Sequence, residues 1–144
     1  MSASCRLRGL PMNDVVKFLQ ENPVQYLATV GSDNKAKCRP FMFVGELDSK
    51  LWFYADNQHE AYKDMQYNPW VEVSVSNPQH AWVRLNGKAV FEENKEAKKM
   101  CLSNPIIKEQ YKTADNPALA VFYLEDSHAK INDFSDNPPK EYSL

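Results

Sequence analysis

Lys35-Ala36-Lys37-Cys38-Arg39-Pro40-Phe41-Met42-Phe43-Val44 reads as one strand that carries three cations and a proline ahead of an apolar run. Pro40 has no N–H to give to a ladder, so such a strand belongs at a sheet edge or at the mouth of a barrel. Arg39, beside it, faces either an anionic ligand or solvent there. Lys37 shares the Arg39 face by the two-residue period of a strand.

The pattern on both sides is of short strands and turns. Upstream, residues 25–30 alternate as a strand, and the polar turn Gly31-Ser32-Asp33-Asn34 follows. Before it, residues 14–20 predict a helix with Asn13 as its cap and with Val15, Val16, Phe18 and Leu19 on one face. Asn22-Pro23 ends that helix, because the residue before proline is driven out of helical geometry. Downstream, residues 46–50 turn and residues 51–55 form a strand. Residues 59–67 form a helix capped by Asp56 or Asn57 and closed by Asn68-Pro69. Residues 71–76 alternate cleanly. Residues 80–91 form a long strand with Ala81, Val83 and Leu85 on one face and Trp82, Arg84 and Asn86 on the other; Gly87 marks a bulge or bend. Residues 92–101 and 106–111 read as helices, 119–124 and 129–134 as strands, and 137–141 as a loose tail. The fold class is therefore mainly β, a small and partly closed barrel with flanking helices outside it. Residues 1–144 form a single domain with its core between about 13 and 134.

Composition narrows the function. The 17 basic and 19 acidic side chains leave a formal net charge of −2 and form no basic stripe, so no nucleic-acid partner is expected. The apolar runs are too short for a membrane span, so no membrane partner is expected either. Residues 1–6 lack the apolar core of a signal peptide, and a cytoplasmic location follows as the expectation. Cys5, Cys38 and Cys101 are odd in number and far apart, which argues against a disulfide framework or a cysteine zinc site. His80 and His128 have no neighbours at ligand spacing, so no metal is expected. Seven tyrosines and three tryptophans suit an interface or a flat ligand. No nucleophile–base set emerges, so catalytic residues stay unassigned; in any redox reaction a cofactor would carry the electrons.

Several side chains are candidates for a ligand site. Arg39 offers a planar fork for phosphate oxygens or a ring carbonyl. His59 and Lys63 lie four apart on one helical face, with His59 close to the exposed N–H groups of the helix start, so they read as an anion site or as a solvated face. Asn57 is a cap or a polar contact. Trp82 stacks on a planar ring or fills an interface. Arg84 meets a ligand, an ion-pair partner across an interface, or solvent. Trp52, Phe53 and Phe43 read as packing.

The ordered set of Tyr26-Leu27-Ala28-Thr29-Val30-Gly31, Arg39-Pro40, Leu51-Trp52-Phe53-Tyr54, Asn68-Pro69 and Trp82-Val83-Arg84-Leu85-Asn86-Gly87 resembles the pyridoxamine 5'-phosphate oxidase-like, FMN-binding split-barrel family. The chain looks closest to small bacterial members grouped with the nitroimidazole-resistance flavoproteins. The resemblance implies a split β-barrel and a homodimer that binds FMN between its subunits. It lays Arg39, Pro40 and Phe41 along the flavin, puts Tyr54, Ala55, Asp56 and Asn57 beneath or beside it, sets His59 and Lys63 near the phosphate, and completes the pocket with Trp82 and Arg84. It also implies an oxidoreductase that passes electrons from a reduced nicotinamide nucleotide to a small acceptor such as a nitroaromatic or a quinone. The alternatives are a non-catalytic flavin- or haem-binding protein on the same scaffold and a ligand-free dimeric interaction protein. Two departures stand out. The lysine usual in the family falls on Ala61, between His59 and Lys63. The chain stops soon after Phe134, without the C-terminal segment that the true oxidases use for substrate, so vitamin B6 oxidation is not expected.

Overall fold

The computed structural model describes residues 9–144. Cys5 and the stretch without a signal core lie outside the described residues. Helix α1 (Gly9–Glu21) is followed by strands β1 (Gln25–Val30), β2 (Ala36–Phe41), β3 (Phe43–Leu47) and β4 (Lys50–Asp56), then helix α2 (Glu60–Tyr67). Strands β5 (Trp70–Ser76) and β6 (Trp82–Phe91) come next, then helices α3 (Lys95–Leu102) and α4 (Pro105–Tyr111). Strands β7 (Leu119–Asn132) and β8 (Lys140–Ser143) end the described order. The main sheet runs β2-β1-β5-β6-β7-β4-β3, with β8 added beside β7, and its pairings are antiparallel.

The opening stretch is not one strand. It is two, and they lie at opposite ends of the strand order. Through Phe41 it pairs with β1; from Phe43 it pairs with β4. Met42 is the crossing point. There the Phe43 amide leaves the ladder and donates to the side-chain Oε1 of Gln25 at 2.7 Å. A sheet whose two edge strands are consecutive in sequence is curled round on itself, and the curl encloses the core.

Gln25 is fully buried at this seam. Its Nε2 donates to the carbonyls of Leu19 (3.0 Å) and Asn22 (2.7 Å). The Leu19 carbonyl would ordinarily accept from the N–H of residue 23, but that residue is a proline and has none. The side chain thus joins the end of α1 to the start of β3.

Alternation along the strands fills the barrel. Leu27, Val73, Val83, Leu85, Phe53 and Phe122 point inward, and Val15 and Leu19 of α1 pack against them. Phe53 and Phe122 stack with ring centroids 5.6 Å apart. A second core lies outside the barrel, where Trp52, Leu119 and Val121 are covered by Ala97, Cys101, Ile107 and Tyr111 from α3 and α4. Strand β4 is therefore covered on both faces, which explains its unbroken apolar run.

Several expected boundaries shift. Helix α1 starts a turn before residue 13, so Asn13 lies inside it and is not its cap; Pro11 is tolerated there because a first-turn N–H has no helical partner. Neither Asp56 nor Asn57 caps α2. The capping position is His59, with no side-chain bond, while Asp56 accepts from the Gln58 amide at 2.9 Å and Asn57 donates to the Pro117 carbonyl at 2.6 Å. Strand β6 starts at Trp82, because His80 takes a left-handed turn conformation (φ 68°). The two strands expected between 119 and 134 are one, kinked at Asp126 and Ser127, which together stand opposite Gly87. The bulge is thus on β7, and Gly87 is the residue it presses on: a Cβ there would lie 3.1 Å from the Glu125 carbonyl oxygen. The tail is partly ordered into β8, pinned where the Tyr142 hydroxyl donates to Asp14 at 2.9 Å.

Candidate functional site

A groove of about 380 Å³ opens where the sheet splits. Arg39, Pro40, Phe41 and Met42 form one wall as β2 ends. Tyr54, Ala55 and Asp56 form the floor from the end of β4. His59, Glu60 and Ala61 at the start of α2 close one end, and Gln110 and Tyr111 of α4, with Val24, close the rest. The sequence-derived candidates Arg39, Pro40, Phe41, Tyr54, Ala55, Asp56 and His59 meet here. Asn57 turns toward a second, more polar cavity near Lys98 and Asp115. Lys63 is exposed on α2 and does not border the groove. Trp82 and Arg84 lie on the outer face of β6. Arg84 holds Glu72 in a two-pronged ion pair (3.1 and 2.9 Å), and the pairing raises its pKa.

Arg39 is fixed from behind. By the register of β1 and β2 it shares the face of Leu27 and Thr29. One arm of its guanidinium donates to Thr29 Oγ1 at 3.0 Å, and Thr29 donates in turn to Asp64 Oδ2 at 3.0 Å. The other arm donates to Glu60 Oε1 at 3.2 Å and stands 3.6 Å from Asp64. Lys37, one period earlier, sits 3.4 Å from Asp64 and 3.6 Å from both Asp33 and Glu60. Asp64 is buried, so this close pairing is what makes its charge tolerable. Gly31 stands against its carboxylate with no room for a Cβ, and so leaves the space the acid occupies.

The floor is different in character. The Tyr111 hydroxyl donates to Asp56 Oδ2 at 2.9 Å, and its ring meets Tyr54 edge-on at 6.0 Å. Burial, reinforced by the Asp56 bond and charge, pushes the Tyr111 phenol well above its usual range; burial likewise raises Tyr54. Both phenols are neutral at ordinary pH. His59 Nε2 lies 3.9 Å from Asp56 at the groove rim. Behind the floor, burial pushes the Cys101 thiol up to about 12.

Sequence reasoning missed Val24, Met42, Glu60, Gln110 and Tyr111 as lining, and Thr29 and Asp64 as supports. Asp64 did leave a signal: an acid three residues from Ala61 and one from Met65, on the apolar side of its helix. Tyr111 left none, since its partner Asp56 is 55 positions away.

Among the described residues no group of His, Cys, Asp or Glu is placed to hold a metal ion, and no helix is long and apolar enough to cross a membrane. The chain matches no curated protein. Among solved structures it is similar to a NimC/NimA family protein from Clostridium acetobutylicum, at 30% identity over 92% of each chain with a TM-score of 0.83. It shares its fold with General Stress Protein 26 from Bacillus anthracis, at 21% identity over 93% of this chain and 98% of the other, TM-score 0.75. It also shares it with a pyridoxamine 5'-phosphate oxidase-related, FMN-binding protein from Nostoc punctiforme, at 15% identity over 98% and 90%, TM-score 0.67. The sequence model of the pyridoxamine 5'-phosphate oxidase family matches residues 12–132, nearly the whole antiparallel sheet and its helices. The chain belongs to that family of split-barrel proteins.

Proposed function

We propose that the chain is a homodimeric FMN-binding oxidoreductase of the nitroimidazole-resistance type, using a reduced nicotinamide nucleotide as donor and a small nitroaromatic or quinone as acceptor. The observation that carries this reading is the groove. Its volume lies at the small end of the range for ligand pockets, and its lining mixes apolar surface with a few convergent polar groups. The lining fits a flavin: Pro40, Phe41, Ala55 and Ala61 offer smooth surface for a flat ring, and Tyr54 and Tyr111 give it aromatic edges. Arg39 supplies the fork for a phosphate or a ring oxygen. The similarity to the NimC/NimA family protein supports the subgroup.

When bound, the flavin would supply the electron transfer, and the protein's part is orientation, charge and exclusion of water. The Tyr111–Asp56 bond holds that carboxylate at the floor and leaves its imidazole neighbour His59 at the rim. Trp82 and Arg84 lie outside this groove, and in the proposed dimer they would have to reach a site from the second subunit. The reading is tested by the visible spectrum of the purified chain and by FMN titration. Absorption near ~450 nm or saturable uptake is expected, and the absence of both refutes it. Anaerobic mixing with a reduced nicotinamide nucleotide then separates turnover from binding alone: a loaded protein that stays oxidised is a carrier, not a reductase.

A further inference from the structure

We infer that Glu60 sets the charge preference of the groove: its carboxylate occupies the place of an anionic group on the ligand, and Arg39 becomes usable only when Glu60 swings away. The inference rests on the groove being a flavin site and names what decides which flavin it prefers.

The argument is one of charge and mobility. Two cations, Lys37 and Arg39, face three carboxylates, Asp33, Glu60 and Asp64. The carboxylates therefore outnumber the cations by one. An incoming phosphate meets no spare cation. The three acids differ in what they can do about it. The Asp64 side chain is only 7% exposed and is held by Thr29, so it cannot leave. Asp33 touches Lys37 and does not border the groove. Glu60 bridges both cations, at 3.6 Å to Lys37 and 3.2 Å to Arg39, lines the groove itself, and is 64% exposed. A long side chain in the first turn of α2 reaches solvent by rotamer change alone.

A phosphate-bearing ligand thus competes with an internal carboxylate, whereas an uncharged flavin does not. The wild-type protein is expected to discriminate little between FMN and riboflavin. Removing the Glu60 charge brings the cluster to neutrality and leaves Arg39 with Asp64 as its one carboxylate partner, and the gain belongs to anions only.

The test is calorimetric titration of the wild type and of Glu60→Gln with three probes: FMN, riboflavin and inorganic phosphate. Two ion pairs of this exposure set the scale, so Glu60→Gln is expected to bind FMN about tenfold tighter, phosphate more tightly in the same sense, and riboflavin within about twofold. Glu60→Ala, checked for an unchanged melting temperature, should reproduce the shift. Equal gains for riboflavin and FMN, or no gain for FMN and phosphate, overturn the inference. If neither flavin binds while phosphate still gains in Glu60→Gln, the flavin reading fails and the role of Glu60 stands.

Discussion

Gln25→Leu tests whether the seam is held by a side chain. The replacement keeps the size and burial of residue 25 but removes its amide. Three backbone groups then lose their partner inside the protein: the carbonyls of Leu19 and Asn22 and the amide of Phe43. An unmatched buried polar group costs about 1–3 kcal/mol. The bonds to Asn22 and Phe43 are part-buried, so the lower end applies to them, while the one to Leu19 is buried. The sum is about 4 kcal/mol, against a total of roughly 5–15 kcal/mol for a domain of this size. That corresponds to a fall in melting temperature of about 8–15 °C. Urea unfolding followed by circular dichroism measures the loss directly, with the slope m expected unchanged. Amide exchange adds a local readout: the Phe43 amide should lose protection while amides of the β5–β6 pair keep theirs. A loss below about 1 kcal/mol, or a Phe43 amide as protected as before, would show that the backbone closes the seam without Gln25.

Three further expectations follow from the same geometry. Arg39→Ala should weaken FMN retention by about tenfold or more, because the guanidinium borders the groove, and Lys37→Ala should weaken it less; equal dissociation constants for the two variants would refute this. Gly31→Ala forces the Asp64 carboxylate from its place and should cost about 1–3 kcal/mol, read as a lower melting temperature; an unchanged melting curve would mean that the acid has room to move. Alkali should destabilise the fold through Cys101. Burial lifts its thiol from 9.0 to about 12, so the folded state holds a proton that the unfolded chain releases. Its contribution is complete below pH 9 and falls by about 1.4 kcal/mol per pH unit as pH rises toward 12. Cys101→Ala should flatten the slope of unfolding free energy from pH 9 to 10, and an identical slope would refute the assignment.

The legible parts of this fold were those written locally. Strand β1 was read to the residue, because alternation and a following glycine turn are short-range signals. Trp82 and Arg84 fell on the outer face of β6 as parity required. The division of residues 35–44 was not legible, since nothing between Phe41 and Phe43 marks a change of partner; what separates them is Gln25, a polar residue read only as part of a strand. The same limit hid the groove's far wall. Arg39 announced itself by standing next to a proline, whereas Glu60 looked like an ordinary acid in a helix's first turn. Its meaning comes from Lys37 and Arg39, more than twenty positions earlier, brought to it by the pairing of β1 and β2.

The crossing at Met42 also constrains the order in which the molecule can be assembled. The hairpins β1–β2 and β3–β4 are local and adjacent in sequence, yet they are the two ends of the sheet and do not pair with each other. What joins them is β5, β6 and β7, all synthesised later. The first half of the chain is thus a pair of unfinished margins awaiting their middle, with strand edges open to wrong partners until β7 docks on β4. In refolding followed by pulsed amide exchange, protection within the two early hairpins should precede protection between β4 and β7; simultaneous protection would mean that the margins have no stability of their own.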